Sequence, residues 1–258
     1  MVEREGRVEG RTAVVTGGCS GIGLASARRL AGEGAHVVIG DLDEQRGPEV
    51  AAELDGLFVR TDVTDPAGVE ALFAAAKETY GSVDVAFNNA GISPPDDDSI
   101  LVTGLDAWRR VQEVNLTSVF LCCQAALPHM LEQGRGSIIN TASFVAVMGA
   151  ATSQISYSAS KGGVLSMSRE LGVEFARRGV RVNALCPGPV NTPLLQELFA
   201  SDPERAARRL VHVPMGRFAE PDEIANAVLW LASDESSFVT ASTFLVDGGI
   251  SGAYVTPV

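Results

Sequence analysis

A phenol and an ammonium group are spaced to share one face of a helix. In SYSASKGG, residues 156–163, Tyr157 and Lys161 stand four positions apart among small residues. Four helical residues rise about 6 Å, so both side chains lie on one face. A free tyrosine has a pKa near 10, whereas an ammonium about 4 Å from a phenolate attracts it by about 4 kcal/mol, roughly 3 pK units. We therefore expect Tyr157 to exchange protons and Lys161 to lower the pKa of the phenol.

A glycine-rich segment, TGGCSGIG (16–23), follows the first apolar run and opens a helix-length segment. Gly17 permits a tight turn, Gly21 leaves room for a pyrophosphate, and Gly23 allows the helix to pack closely on the strand. The start of the helix, with Ser20 and Ile22, supplies unpaired N–H groups and the positive end of the helix dipole. The segment predicts a dinucleotide-binding turn, although a tight βα connection without a ligand has the same pattern.

An acidic residue, Asp41, ends the second apolar run, 18 residues after Gly23. A carboxylate at this point accepts hydrogen bonds from both ribose hydroxyls of an adenosine. A 2′-phosphate about 4 Å away would meet like charge, at a cost of roughly 4 kcal/mol for an effective dielectric constant of about 20. No arginine or lysine stands at Cys19, Ser20 or Leu42 to offset that charge. The pattern favours NAD over NADP as cofactor; a solvated aspartate at a strand end is the alternative.

Apolar strand-like runs alternate with amphipathic helix-length segments along the chain. Seven such units predict an α/β fold, a Rossmann-type doubly wound sheet of seven parallel strands with helices on both faces. No linker or repeat divides the sequence, so residues 1–258 are expected to form one nucleotide-binding domain. Two segments read as loops after strand ends, 93–99 and a substrate loop at about 188–214. Ligands bind at that edge of open α/β sheets.

Composition restricts the partners and the location that can be expected. Of the 258 residues 46% are hydrophobic, and the formal net charge of −12 argues against nucleic acids and anionic membranes as partners. No signal peptide or membrane-spanning run is visible, so a cytoplasmic location is the default expectation. The four cysteines show no metal-ligand spacing. We therefore predict no metal site, and we expect reduced, packed thiols.

In order and spacing, these motifs resemble those of the short-chain dehydrogenase/reductase family, in its common single-domain form. The resemblance covers nearly the whole chain and includes TGGCSGIG at 16–23, DV at 62–63, NNAG at 88–91, Asn115, Ser143, YSASK at 157–161, PGPVNTP at 187–193 and VDGG at 246–249. It implies an oxidoreductase with a nicotinamide cofactor. The Tyr-x-x-x-Lys spacing together with TGxxxGIG points to an alcohol–ketone couple rather than to reduction of an enoyl group.

The resemblance implies which residues bind the cofactor. Asp62 and Val63 would hold the adenine ring, and Asn89, Ala90 and Gly91 would line the middle of the cofactor. Val190 and Thr192 would contact the nicotinamide carboxamide. The other predicted cofactor-binding residues are Gly17, Ser20, Gly21, Ile22, Gly23, Asp41, Leu42, Tyr157, Lys161 and Pro187.

Four catalytic residues are also implied by the resemblance. Tyr157 would exchange the proton, Lys161 would tune it and bind the nicotinamide ribose, and the Ser143 hydroxyl would donate to the substrate oxygen. Asn115 would hold a water that relays protons from Lys161 to solvent. Ser143 could instead merely cap a strand end, and Asn115 could kink a helix, a role compatible with catalysis. Ser143 and Tyr157 are 14 residues apart, one more than the commonest family spacing.

The predicted substrate pocket is mostly apolar, and its members are Phe144, Val145, Met148, Gln154, Leu194, Leu195, Leu198 and Phe199. They favour a moderately hydrophobic ketone or secondary alcohol. A 3-oxoacyl-[acyl-carrier-protein] reductase and a sugar dehydrogenase are alternatives, and a non-catalytic nucleotide sensor is the alternative from another class. By family resemblance, the helices at about 106–131 and 157–178 and the C-terminal segment would assemble a homotetramer.

Overall fold

Seven parallel strands form one sheet in the computed structural model, which describes residues 6–150, 152–193, 195–196, 204 and 209–252. The strands are β1 Thr12–Thr16, β2 His36–Asp41, β3 Leu57–Arg60, β4 Val85–Asn88, β5 Gly136–Thr141, β6 Val180–Pro187 and β7 Thr243–Val246. Their order is β3-β2-β1-β4-β5-β6-β7, and every neighbouring pair is parallel. The predicted Rossmann-type architecture is confirmed.

Helices connect the strands and cover both faces of the sheet. In the described parts of the chain they are α1 Gly21–Ala31, α2 Arg46–Glu53, α3 Pro66–Tyr80, α4 Leu105–Gln112, α5 Ser118–Gln133, α6 Ile155–Phe175 and α7 Pro221–Ala232. A π-helical turn, Glu113–Thr117, joins α4 to α5, and a 3₁₀ turn, Phe144–Ala146, precedes α6.

Alternate residues of each strand feed two hydrophobic cores, because successive side chains point to opposite faces of a sheet. In β1, Val14 belongs to the core that includes α3, α5 and α6, whereas Ala13 and Val15 belong to the core that includes α1 and α7. Phe73 anchors the first core and Phe87 the second, both fully buried. Since both faces are covered, the strands read as continuous apolar runs in the sequence.

The motifs singled out above meet at the carboxyl edge of the sheet. The strand order reverses between β1 and β4, so the two crossovers leave in opposite directions and open a crevice. The glycine-rich turn follows β1, NNAG spans the end of β4, Ser143 follows β5, and PGPVNTP spans the end of β6. The fold thus collects residues far apart in sequence at one crevice.

The long helix predicted at about 106–131 is divided by the π turn. The stretch Leu105–Gln133 is long and apolar enough, by length and composition, to cross a membrane. Its buried side chains, among them Val119, Cys122 and Met130, belong to one of the two cores over the sheet. All four cysteines are buried and unpaired, as expected for packed thiols.

Candidate active site

Helix α6, which carries Tyr157 and Lys161, begins on a carboxylate from another loop. Oδ1 of Asp97 accepts the N–H of Ser156 at 2.9 Å, and Oδ2 accepts the N–H of Tyr157 at 2.8 Å. Asp97 is only 4% exposed. An acid at a helix start pairs unsatisfied N–H groups and faces the positive end of the helix dipole. The loop 93–99 therefore fixes the backbone position of Tyr157.

Tyr157 and Ser143 line one cavity of about 150 Å³ at the carboxyl edge. Burial raises the pKa of Tyr157, while a hydrogen bond with Ser143 and the positive charge of Arg209 act to lower it. The net direction is opposite to the sequence expectation, because loss of water around the phenol outweighs the effects that favour a phenolate. The hydrogen bond does bring together the two hydroxyls predicted to contact a substrate oxygen.

Lys161 is buried and tied to the end of β5. Its Nζ donates to the backbone oxygen of Thr141 at 2.7 Å and lies 5.6 Å from the centre of the Tyr157 ring. Because this distance runs to the ring centre and not to the phenol oxygen, the separation of roughly 4 Å assumed between the ammonium and a phenolate stays a prediction. Burial lowers the pKa of Lys161 to about 8. The ammonium can therefore exchange protons close to the pH at which a general acid or base works best.

Asn115 lies within the π turn and is fully buried. Its Oδ1 accepts the N–H of Ile92 at 2.7 Å, and its Nδ2 donates to the oxygen of Ile92 at 2.8 Å. A Cβ placed on Gly91 would be 3.2 Å from Asn115 Oδ1 and 3.6 Å from Lys161 Nζ. The asparagine thus shapes the helix and stands close to Lys161; its part in a proton relay stays a prediction.

The glycine-rich turn borders a cleft of about 310 Å³. Gly17 and Gly21 have φ values of +66° and +51°, and a Cβ on Gly23 would lie 2.0 Å from the oxygen of Gly17. Side chains at these points would strain the backbone or fill the turn. Ser20 makes no side-chain cap, and the first turn of α1 contains no acid. The N–H groups of this turn therefore suit a phosphate, and a dinucleotide fits the cleft.

Most of the predicted cofactor-binding residues border this crevice. The cleft is lined by ten of them: Gly17, Ser20, Gly21, Ile22, Asn89, Ala90, Gly91, Tyr157, Lys161 and Thr192. Pro187 and Val190 line the adjoining cavity that contains Tyr157. The residues predicted for the adenosine end lie at the same edge of the sheet: Asp41 ends β2, Leu42 follows it, and Asp62 and Val63 follow β3.

The carboxylate of Asp41 points toward the glycine-rich turn. Its Oδ2 accepts the N–H of Cys19 at 3.0 Å, and its Oδ1 accepts the N–H of Asp43 at 3.1 Å. Asp62 accepts both the N–H and the hydroxyl of Thr64, and these hydrogen bonds lower the pKa of its carboxyl. Two fixed carboxylates therefore stand at the end of the crevice predicted for adenosine.

The predicted substrate pocket is recovered in part. Phe144, Gln154 and Leu195 line the cavity with Tyr157 and Ser143, and Met148 lines a second cavity of about 90 Å³. Val145 is buried and lines neither cavity. Leu194, Leu198 and Phe199 lie outside the described residues.

Two residues of the site were missed in the sequence. Asp97 is one of three consecutive aspartates, and the pattern does not show which of them is buried. Arg209 lines both cavities, but only apolar side chains of the substrate loop were considered. The sequence signal that could have found Arg209 is its charge within the predicted substrate loop, five positions before Pro214.

Known proteins of similar sequence are oxidoreductases, the class of enzyme that this site geometry supports. A family model described as enoyl-(acyl carrier protein) reductase matches residues 17–251. Cis-4-hydroxycyclohexanecarboxylate dehydrogenase of Sinomonas cyclohexanicum is 46% identical over 243 residues, 93% of this chain and 96% of that protein. The 2,5-dichloro-2,5-cyclohexadiene-1,4-diol dehydrogenase LinX of Sphingobium indicum is 41% identical over 95% of this chain and 98% of its own length.

A solved structure extends the similarity to three dimensions. The crystal structure of levodione reductase superposes with a TM-score of 0.90 at 36% identity, and the match covers 95% of this chain and 99% of that one. The chain belongs to the short-chain dehydrogenase/reductase family. It is an oxidoreductase that acts on CH–OH groups.

Membership of the family implies a nicotinamide dinucleotide, which accepts or supplies the hydride when bound. The glycine-rich turn, Asn89, Gly91, Lys161 and Thr192 would hold it, in the cleft that their residues line. The protein's own side chains would bind the substrate oxygen and move its proton. Within the described ranges, no group of three His, Cys, Asp or Glu side chains is placed to hold a metal ion.

Proposed function

We propose that the protein is an NAD-dependent dehydrogenase that interconverts a secondary alcohol on a six-membered ring and the corresponding ketone. The observation that carries this proposal is the cavity lined by both Ser143 and Tyr157, next to the cleft of the glycine-rich turn. An oxygen bound between the two hydroxyls would lie beside the nicotinamide end of the cleft, where Thr192 borders both spaces.

The proton step falls to Tyr157. In oxidation the phenol oxygen takes the proton of the alcohol, and in reduction it returns that proton to the ketone oxygen. The Ser143 hydroxyl donates to the same oxygen, where negative charge develops. Burial opposes the charged form of Tyr157, so Ser143 and Arg209, which both act to lower its pKa, assist this step. Lys161 and Asn115 would pass the proton on to solvent.

The preference for NAD rests on Asp41. Its carboxylate is held by two backbone N–H groups beside the glycine-rich turn, where it would accept hydrogen bonds from the ribose hydroxyls. A 2′-phosphate at that point would meet its negative charge. The positive charge of Arg46 acts in the opposite direction, because it reaches Cys19 in the same turn and would favour a 2′-phosphate. Variants of both Asp41 and Arg46 are therefore needed to test the cofactor preference.

The ring substrate is favoured by the size and lining of the cavity. A volume of about 150 Å³ is of the order that encloses a single benzene-sized ring in a protein. Phe144, Val190 and Leu195 supply apolar contacts. The two relatives named above act, by their names, on a hydroxycyclohexane and on a cyclohexadiene diol.

Assembly and location complete the proposal. Among the described residues of the two helices predicted to form contacts, Phe120 on α5 is 49% exposed and Val173 on α6 is 73% exposed; Leu245 on β7, just before the C-terminal segment, is 43% exposed. Burying them between copies of the chain would be favourable. We propose a homotetramer in the cytoplasm, with residues 1–258 as one domain in each subunit.

A spectrophotometric assay at 340 nm tests this function. Cyclohexanol, cis-4-hydroxycyclohexanecarboxylate, a linear secondary alcohol and a 3-oxoacyl thioester are offered with NAD⁺ or NADH as the direction requires. We expect turnover of the ring alcohols with NAD⁺. Turnover of the thioester alone would assign the protein to acyl reduction, and NADH binding without turnover of any compound would favour a nucleotide sensor.

A further inference from the structure

A buried hydroxyl without a hydrogen-bond partner lies at the junction of the two spaces of the site. Thr141 lines both the cavity of about 150 Å³ and the cleft of about 310 Å³. The residue is 8% exposed, and its Oγ1 is shielded from solvent and makes no hydrogen bond within the described part of the chain. Burying a hydroxyl in this way is costly, so a bound molecule that pairs with it gains affinity.

This junction is where a hydride must cross between substrate and cofactor. Of the described residues, Ile22, Tyr157 and Thr192 also border both spaces. In the proposed function Tyr157 faces the substrate oxygen and the cleft holds the dinucleotide, so the reacting carbons of the two molecules meet here. A polar group at this junction would therefore contact the nicotinamide half of the cofactor and not its adenosine half, which is predicted to lie near Asp41.

The strand fixes the direction of the Thr141 side chain. The preceding residue, Asn140, donates to Ser168 of α6 and so points to the face that α6 covers. Successive side chains of a strand point to opposite faces, and Ile139 belongs to the core that includes α1 and α7. The side chain of Thr141 therefore lies on the face of α1, the helix that the glycine-rich turn opens.

The hydroxyl of Thr141 can reach the cleft without movement of the strand. Side chains occupy staggered positions, so a turn of about 120° about the Cα–Cβ bond moves the hydroxyl to another of them. The backbone oxygen of the same residue, which accepts from Lys161 Nζ at 2.7 Å, is unaffected by that turn. One residue can thus hold Lys161 through its backbone and a ligand through its side chain.

We propose that Thr141 is a further cofactor-binding residue, whose hydroxyl forms a hydrogen bond with a polar atom of the nicotinamide riboside when the dinucleotide binds. This rests on the nicotinamide cofactor of the proposed function and adds one contact to it. A hydroxyl both donates and accepts, so the ribose hydroxyls and the carboxamide have the same chemistry toward it. The contact would fix the reacting half of the cofactor beside Lys161 and Tyr157.

Thr141→Val and Thr141→Ser test the hydroxyl by binding alone. Valine keeps the branched shape of threonine and suits a strand, whereas serine keeps the hydroxyl. The Kd for NADH is measured by fluorescence titration without substrate. It should rise by about fivefold to tenfold in Thr141→Val, the size of one hydrogen bond, and stay within about twofold in Thr141→Ser. Equal NADH affinity in the wild type and Thr141→Val would overturn the proposal.

Fragments of the cofactor locate the contact. AMP lacks the nicotinamide riboside, so it should bind equally well to the wild type and to Thr141→Val. ADP-ribose keeps the second ribose but lacks the nicotinamide. Weaker binding of ADP-ribose by Thr141→Val would assign the contact to the ribose, and weaker binding of NADH alone would assign it to the carboxamide. A loss of AMP affinity as large as the loss for NADH would contradict a contact at the nicotinamide half.

Thermal stability separates this role from a structural one. Because the hydroxyl lacks a partner in the free protein, Thr141→Val should raise Tm by up to about 4 °C, and a lower Tm would overturn the proposal. Thr12→Val is the control. Thr12 begins β1 at the opposite edge of the sheet, is fully buried and accepts from Ser82 Oγ at 3.1 Å. Its loss should lower Tm and leave NADH affinity unchanged.

Binding without turnover also separates this proposal from the proposed function. If NADH affinity depends on the Thr141 hydroxyl but no alcohol is oxidised, the dehydrogenase proposal fails and the contact stands. If ring alcohols are oxidised while Thr141→Val binds NADH as the wild type does, the contact fails and the dehydrogenase proposal stands.

Discussion

The backbone N–H of Tyr157 donates to a buried carboxylate oxygen of Asp97 over 2.8 Å. The residue predicted to move the proton therefore begins its helix on a side chain 60 positions earlier in the chain. The second oxygen of the same carboxylate holds the N–H of Ser156, so the first turn of α6 is fixed by two bonds from one group. The loop after β4 thereby becomes part of the catalytic framework.

Replacing Asp97 by asparagine should slow the reaction without lowering the affinity for the cofactor. An amide offers one acceptor oxygen in place of two, so one of the N–H groups of Ser156 and Tyr157 loses its partner. We expect kcat to fall by about tenfold, since small displacements of reacting groups are costly, and stability to fall by about 1–3 kcal/mol. The Kd for NADH, measured by fluorescence, should stay within about threefold.

Asp98→Asn is the matched control, because the side chain of Asp98 is exposed. Asp98 accepts the N–H of Ile155 through its backbone oxygen, which the substitution does not change. The two variants differ by one position and share the same chemical change. Equal kcat in Asp97→Asn and Asp98→Asn would show that the buried carboxylate does not position Tyr157.

Asp41→Ala should narrow the preference for NAD. Removing the carboxylate deletes a partner of the ribose hydroxyls and the charge that repels a 2′-phosphate. The ratio of kcat/KM for NAD⁺ and NADP⁺ is expected to shift by at least about tenfold toward NADP⁺. Arg46→Ala should move the ratio little and in the opposite direction. An unchanged ratio in Asp41→Ala would mean that another group sets cofactor specificity.

Lys161 makes stability depend on pH in a defined window. Its pKa is lowered by burial from 10.5 to about 8, so between these values the unfolded chain binds a proton that the folded protein does not. The contribution of Lys161 to the free energy of unfolding must therefore increase as the pH rises from about 8 to 10.5. At about 1.4 kcal/mol per pK unit, the increase is roughly 3 kcal/mol.

Urea unfolding of the wild type and Lys161→Met at pH 7.5 and pH 10 measures this effect. The methionine variant has no proton to lose, so the wild type should gain stability relative to it at the higher pH. Parallel pH profiles would show that the folded protein keeps Lys161 protonated throughout.

The exposed apolar residues of α5 and α6 predict assembly. Light scattering should give about 108 kDa, four times the 27.0 kDa of one chain. Val173→Glu places a charge on the exposed face of α6 and should split the tetramer into smaller species, because a buried unpaired charge is costly. A wild-type mass of one chain would contradict the proposed assembly.

The sequence predicted the sheet and its edge well because these follow from short-range patterns. Seven apolar runs and the glycine-rich turn specify a doubly wound sheet through periodicity and turn chemistry. Tyr157, Ser143 and Lys161 were found by their spacing and by family resemblance, and the structure brings them together at one crevice.

What the sequence did not predict depends on burial and long-range contact. The capping role of Asp97 requires knowing which of three aspartates turns inward. The raised pKa of Tyr157 reflects loss of water, which local spacing does not report. The π turn at Asn115 arises where its side chain bonds to Ile92, 23 residues earlier. The position of Arg209 in the cavity wall depends on how the substrate loop packs, which the sequence does not show.

Tyr157→Phe tests the central claim most directly. The change removes one hydroxyl from the cavity, and Tyr80→Phe, at the end of α3, makes the same change at a site that borders neither cavity. Oxidation of a ring alcohol is followed at 340 nm, and NADH binding is measured on the same preparations. We expect turnover to be abolished in Tyr157→Phe and retained in Tyr80→Phe, with NADH affinity within about threefold in both. Turnover by Tyr157→Phe at a rate close to that of the wild type would remove Tyr157 from the proton step and contradict the mechanism.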